Sequence, residues 1–350
     1  MCIILCRTPQ DLEASTSPYA LILAANRDEY IARPTLGATW HHFEPLNGPS
    51  DTDKAPPPTH CLSGRDAQDP VGGTWFGLSI PNIPQTSSDS ASGRRKVLRI
   101  GALTNIHDDI PLDPGPAGKR SRGGILKDYL HLSNDEKTGE YLESLRREKR
   151  RYDGFGLGLF DVTVHPASDG TDQRIEVTSS YYSNRLPESS EASMSSSRTP
   201  FEIDERTTSG TWGMSNSLLS QPLDKVKEGN RLLSEVLSRS AFSSQTDLIE
   251  DLFAILRTDH GPIMSMQELH QSIFIPLLQM PSGGPLPAQP NVDAGPSSEA
   301  PESTGEGRAY GTRLSTVVLV GKDGSVVFIE RDRAGIDEGE AKERKFEFRL

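Results

Sequence analysis

The chain has 350 residues, enough for one large core or two modest ones. Its formal net charge of −12 disfavours wholesale binding to nucleic acid or to an anionic membrane surface. A hydrophobic content of 34% is low for a wholly globular chain, so part of the length reads as unfolded insert; three cysteines are too few for a disulfide framework and suit a reducing compartment.

The chain opens Met1-Cys2-Ile3-Ile4, with no basic segment, long apolar run or cleavage site of the secretory kind and no Arg-rich transit pattern. Residues 2–7 and 19–25 are short apolar runs that read as buried neighbouring strands. The second of these is far too short to span a bilayer. A cytoplasmic protein without an integral membrane segment is expected. Next come strands predicted over 74–80, 97–104, 156–162 and 174–182. Ser133-Asn134-Asp135-Glu136 has the spacing of a capping box and predicts a helix running toward Arg147. The cations from Arg146 to Arg151 read as its solvated C-terminal end. A second helix is predicted after Pro222 and a third from near Thr246. Strands over 316–320 and 325–330 flank the turn signal Lys322-Asp323-Gly324, and 345–349 alternates as a half-exposed strand would.

Four stretches rich in Pro, Ser, Gly or acidic residues read as inserts that bury too little to offset chain entropy: 44–59, 81–93, 186–199 and 280–307. They fall between motifs, so 1–350 reads as one interrupted domain. Strands come in runs rather than in β-α alternation, which predicts an antiparallel-rich α+β fold with helices on the outer faces.

Two features carry chemistry. Removal of Met1 would leave Cys2 as the first residue, with its own α-amine as a base of pKa about 7.7 to 8.0. The plainer reading is a cysteine in a buried strand. Cys6 shares a strand face with Cys2 but lies roughly 13 Å away, beyond disulfide reach, and reads as a core thiol. Cys61 reads as a loop residue of no consequence. The second feature is Asn26-Arg27-Asp28-Glu29, directly after an apolar run. It serves equally as a turn with local hydrogen bonds or as a functional cluster at a strand end. Gly72-Gly73-Thr74 lacks the Lys-Ser/Thr and helix of a phosphate loop; a tight turn is expected, with Trp75 as core or pocket wall.

The start Met-Cys-Ile-Ile and the run from Leu21 to Glu29 resemble the NRDE-motif proteins of the transport and Golgi organisation 2 type. Further along, the resemblance continues in order through 72–78, 103–105, 121–124, 152–155, 181–185, 212–216 and 310–313. That family is in turn similar, more distantly, to cysteine N-terminal-nucleophile hydrolases. The resemblance implies a four-layer αββα sandwich, and a site of Cys2 as nucleophile, Asp28 beside the terminal amine, Asn105 and Asn216 as carbonyl-oxygen donors, and Arg313 as a late cation. One position departs: the Arg expected three residues before the Asp is Ala25, and Arg27 directly precedes Asp28. The family also implies roles in Golgi organisation, secretion, and haem or acyl-lipid (acyl-CoA) handling. Hence a hydrophobic small molecule and secretory-pathway proteins are the expected partners, with peripheral association to Golgi or mitochondria. No cofactor is required, and haem is expected only as cargo. Its axial ligands would be sought among His41, His42, His60, His107, His131, His165, His260 and His270. The alternative is an amidase or thioesterase that works through Cys2.

Overall fold

In the computed structural model, the described residues are 2–8, 17–44, 46, 59–69, 71–81, 96–106, 118–165, 174–185, 210–239, 244–261, 263, 268–280, 308–333 and 342–350. The four expected inserts fall almost wholly outside them.

Among the described residues the strands form two antiparallel sheets. The first contains β1 (Ile3–Arg7), β2 (Tyr19–Tyr30), β9 (Thr211–Met214), β11 (Arg308–Gly321), β12 (Ser325–Asp332) and β13 (Lys342–Arg349), in the order β13-β12-β11-β2-β1-β9, with β10 (Leu278–Met280) on β11. The second runs in chain order: β3 (Thr35–His41), β4 (Thr59–Asp66), β5 (Phe76–Pro81), β6 (Lys96–Asn105), β7 (Phe155–His165) and β8 (Arg174–Ser183). The helices are α1 (Gly123–Leu130), α2 (Thr138–Arg147), α3 (Asp224–Ser238) and α4 (Gln245–Leu256).

Strand alternation divides the burial. On β1 and β2, Ile4, Cys6, Leu21 and Leu23 join Leu62, Leu78, Ile100 and Phe160 of the second sheet in one core cluster. The alternate residues Ile3, Leu5, Ile22 and Ala24 pack with Val226 and Leu233 of α3 and Leu252 and Phe253 of α4. On the second sheet, Leu103, Leu157 and Leu159 turn the other way, toward Leu126 and Tyr129 of α1 and Leu142 of α2. Both sheets thus bury two faces, which is why their strands read as near-continuous apolar runs.

Several predicted elements shift. β2 does not end at Ala25 but continues through Asn26-Arg27-Asp28-Glu29 to Tyr30, because β11 pairs with it along that whole length. The helix expected at Ser133 begins instead at Thr138. Glu136 does accept the Ser133 N–H at 2.7 Å, but that bond closes a turn ahead of the helix. α1, opened by Gly123-Gly124, was not predicted: two glycines are weak helix formers, and burial of Ile125, Leu126, Tyr129 and Leu130 stabilises it. Cys61 is not a loop residue; it is buried in β4, against the α1 side of the second sheet. The glycine pair is the tight, packed turn expected. Gly72 has φ +59, and a Cβ on Gly73 would lie 2.3 Å from the Gly123 backbone, so the glycines let α1 touch the loop before β5.

Candidate functional site

Cys2 stands just before β1, half-buried. Ile3 pairs with Asn26 and Ile4 with Met214, so continuing these antiparallel registers places Cys2 opposite Arg27 on one side and Asn216 on the other. Ser215 fixes this end of the chain: its hydroxyl donates to the Cys2 carbonyl at 2.5 Å, and its own carbonyl accepts from Thr104 Oγ1 at 2.7 Å. Asn216 Nδ2 donates to the Asn105 carbonyl at 2.6 Å. The 212–216 and 103–105 motifs therefore tie the ends of β1, β6 and β9 together around the cysteine.

Cys2 lines a narrow, partly open pocket with Ile4, Ala25, Asn26, Arg27, Trp75, Phe76, Leu103 and Thr316. As it stands the pocket has room for roughly one ordered water. The Cys2 thiol pKa is raised above its ordinary value: burial dominates, the Asp28 carboxylate adds to it, and the chain's amino terminus, Arg27 and the Asp28 N–H only partly oppose it. The guanidinium of Arg27 lies 3.9 Å above the Trp75 ring, donating to Thr35 Oγ1 at 3.1 Å and to Glu29 Oε2 at 3.3 Å. Trp75 is thus a pocket wall that also holds the cation in place.

Asp28 is buried, and its Oδ1 accepts from Thr312 Oγ1 at 2.6 Å; the same threonine oxygen accepts from the Ile275 N–H at 2.8 Å. Asn26 is satisfied by the fold: Nδ2 donates to the carbonyls of Leu256 at 2.8 Å and Ile273 at 2.9 Å, and Oδ1 accepts from Ser315 at 2.8 Å. Of the NRDE residues, Asn26 pins the last residue of α4 and Ile273 to β2, while Arg27 and the Asp28 N–H act on the cysteine.

The structure brings Cys2, Asp28, Asn105 and Asn216 to one end of the two sheets. Arg313 is placed differently. Register shifts between Thr312 and Leu314, and the Arg313 guanidinium donates to the carbonyls of Ile31 and Arg33 in the turn after β2. The cation beside the thiol is Arg27. As for the histidines, His41 is buried with Phe43 N donating to Nδ1 at 3.1 Å and Nε2 2.9 Å from Ser63 Oγ, and His107 lies outside the described residues. No histidine is among the described residues lining the pocket. Among the described residues no group of three or more His, Cys, Asp or Glu is arranged to hold a metal, and no helix is long and apolar enough to cross a membrane.

The ordered motifs and their convergence on one strand end meet a direct comparison: a family model described as Transport and Golgi organisation 2 matches residues 1–335. The chain belongs to the Transport and Golgi organisation 2 family. It is 28% identical to the Transport and Golgi organization protein 2 homolog of Bos taurus and 27% identical to that of Homo sapiens, in each case over 100% of this chain and 99% of the relative. The Drosophila melanogaster Transport and Golgi organization protein 2 is 25% identical over 91% of this chain and 88% of its own. Two crystal structures of variants of conjugated bile acid hydrolase from Clostridium perfringens align over 99% of this chain and 97% of theirs, at 9% identity and TM-scores of 0.32 and 0.33, a likeness too loose to carry an argument.

One residue of this family member was missed in the sequence. Lys225, in the first turn of α3, is wholly buried with Nζ 4.0 Å from Asp28 Oδ2. A signal existed: a cation in a first helical turn opposes the helix dipole and needs another partner. The sequence does not say that the partner lies almost two hundred positions earlier.

Proposed function

We propose that Cys2 is the nucleophile of an amide or thioester hydrolase of the N-terminal-nucleophile kind, built as a four-layer αββα sandwich. The observation that carries this reading is Cys2 itself: its thiol lines a pocket, receives the Asp28 N–H and sits beside the Arg27 cation. Once Met1 is removed, the new α-amine takes the thiol proton as sulfur attacks the carbonyl carbon. The oxyanion formed is met by N–H donors from Asn216 and Asn105; Asn216 Nδ2 uses one N–H on the Asn105 carbonyl and has a second to offer. Collapse breaks the bond to the amine or thiol, which departs with the proton held by the α-amine, while the acyl group stays on the Cys2 sulfur as a thioester. Water then adds to the thioester, giving a proton to the amine, and the carboxylic acid departs as the thiol is restored. Asp28 orients the amine; Arg27 takes the place the resemblance gave to Arg313.

Cys2→Ala tests this on panels of acyl-amides and acyl-thioesters. Turnover is expected to vanish with the fold intact, and wild-type protein quenched during turnover should carry an acyl mass on Cys2. Intact-mass measurement of the amino terminus decides whether the amine mechanism is available. Equal turnover in both proteins would refute the assignment.

A second reading, carriage of haem or an acyl lipid, is supported by the apolar lining of Ile4, Ala25, Trp75, Phe76 and Leu103. A cargo of that size requires the walls to part, and none of the lining residues is a histidine ligand for haem. In this reading the protein is cytoplasmic, meets the Golgi or mitochondria peripherally, and serves secretory-pathway proteins, as its family name suggests. Haem titration separates the two: a carrier shifts the Soret band equally in wild type and Cys2→Ala and shows no turnover in either.

A further inference from the structure

Lys225 has no part in the scheme above, yet it is 0% exposed, and its Nζ stands 4.0 Å from an equally buried Asp28 Oδ2. α3 presses this end of the helix onto β1: a Cβ on Gly229, one turn on, would lie 2.8 Å from Leu5 Cδ2. Lys225, Val226 and Gly229 are buried together, so the lysine enters the sheet among apolar neighbours at the end that faces strand β2. Asp28 Oδ1 accepts from Thr312 Oγ1 at 2.6 Å, and that threonine oxygen in turn accepts from the Ile275 N–H at 2.8 Å. A buried ion pair adds little net stability over an apolar pair of similar volume, so stability alone does not account for a lysine here.

We propose that Lys225 is a positioning residue for Cys2, acting through Asp28: its buried ammonium, 4.0 Å from Asp28 Oδ2, fixes that side chain beside the cysteine and balances its charge there. This deepens, and rests on, the reading of Cys2 as nucleophile. The charged and titratable groups whose fields reach Cys2 are the chain's amino terminus, Asp28 and Arg27 on β2, Lys225 on α3 and Tyr310 on β11. Those facing Lys225 are Asp28, Cys2 and His270 in the 3-10 turn Glu268–His270. The Lys225 pKa is lowered from its ordinary value because burial outweighs the opposing pull of Asp28 and Cys2. Without the lysine, the Asp28 charge beside the thiol is no longer offset, and the thiolate is disfavoured.

The test is the pH profile of Cys2 alkylation by iodoacetamide, located by peptide mass, with the fully buried Cys6 and Cys61 as internal controls. Lys225→Met should move the midpoint upward by about one pH unit, slowing alkylation roughly tenfold on the acid side of the curve. Lys225→Gln serves if the methionine variant does not fold, with the same shift expected, since it keeps a donor for Asp28 without the charge. In the Asp28→Asn background either substitution should have no further effect. An unchanged midpoint in a folded variant, or loss of fold in both, makes Lys225 a structural cation and overturns the proposal. The readout needs no turnover, so it is separable from the nucleophile assignment: turnover surviving Cys2→Ala sinks that assignment whatever the alkylation midpoint does.

Discussion

At the scale of single residues, strand alternation sends Arg27 toward Trp75, just before β5 of the second sheet, and both Asn26 and Asp28 toward the helix side, and the last two then differ in what they bind. Asn26 satisfies three backbone or side-chain partners that link β2 to β11, the end of α4 and Ile273. Asn26→Ala would leave buried carbonyls and a buried hydroxyl without their partner, at about 1 to 3 kcal/mol each before relaxation. A net loss of about 2 to 4 kcal/mol in urea unfolding is expected, with the cysteine chemistry lost only as the fold loosens. Asp28→Ala would leave Lys225 buried without its counter-charge, so a loss of about 3 to 5 kcal/mol in urea unfolding is expected together with a change in Cys2 reactivity. His41 gives a pH signature. Burial, then Arg65, lowers its pKa from the ordinary 6.5 to about 4. The unfolded chain takes up this proton below about pH 6.5 and the folded protein only near 4, so stability falls as pH drops through that window. His41→Asn should flatten the fall in urea midpoint between pH 6.5 and 4, and a slope identical to wild type would show that other groups govern it. The sequence named Cys2, Asp28, Asn105 and Asn216, which share one end of the sheets, but which of Arg27 and Arg313 lies beside Cys2 was not legible in it. Both are arginines in ordered motifs, and the register shift after Thr312 directs one of them to turn carbonyls.

At the scale of elements, β2 matters most. Paired with β1 on one side and β11 on the other, it carries four polar residues that a strand end would have left in solvent. Contact between α1 and the loop before β5 depends on paired glycines. Gly73→Ala would place a methyl 2.3 Å from Gly123, a backbone clash no rotamer relieves, whereas a Cβ on Gly124 meets only Val71 Cγ1 at 3.7 Å. Thermal unfolding of the two variants should therefore differ sharply: a loss of several kcal/mol for Gly73→Ala and about zero for Gly124→Ala. Similar midpoints would mean that α1 can move away freely. α4 has the one side-chain cap among the described helices, Ser244 accepting from the Asp247 N–H at 3.2 Å, and its helical pattern was correspondingly easy to place. α1 has no such cap and two glycines in its first turn, which is why periodicity alone passed over it.

At the scale of the whole molecule, the two sheets are joined by more than apolar contact. Glu330 on β12 accepts the Ala38 N–H of β3 at 2.7 Å and pairs with Arg344 of β13 at 3.3 Å. Phe346 and Phe348 of β13 pack on the core between the sheets, and Phe348 meets Trp40 of β3 edge to face at 5.4 Å. Deleting 342–350 should therefore expose the β12 edge, lower the unfolding midpoint and promote association, read by light scattering. A monomeric, equally stable truncation would show that β13 is dispensable.

What the sequence determined by itself is local: apolar runs that become strands, helices with amphipathic faces, glycines at a tight turn, and a series of motifs in a fixed order that marks the family. These follow from hydrophobic periodicity and backbone stereochemistry, which act over a few residues. Only the tertiary structure decided that the polar run after Ala25 stays in a strand, that Cys61 is core, and that Lys225 is buried against Asp28. Each of these depends on a partner far along the chain: β11 for the first, α1 for the second, the pairing of β1, β2 and α3 for the third. A burial that is unfavourable for one residue alone becomes tolerable only when a distant segment supplies the opposite charge or the hydrogen bond, and no local pattern records where that segment will come from.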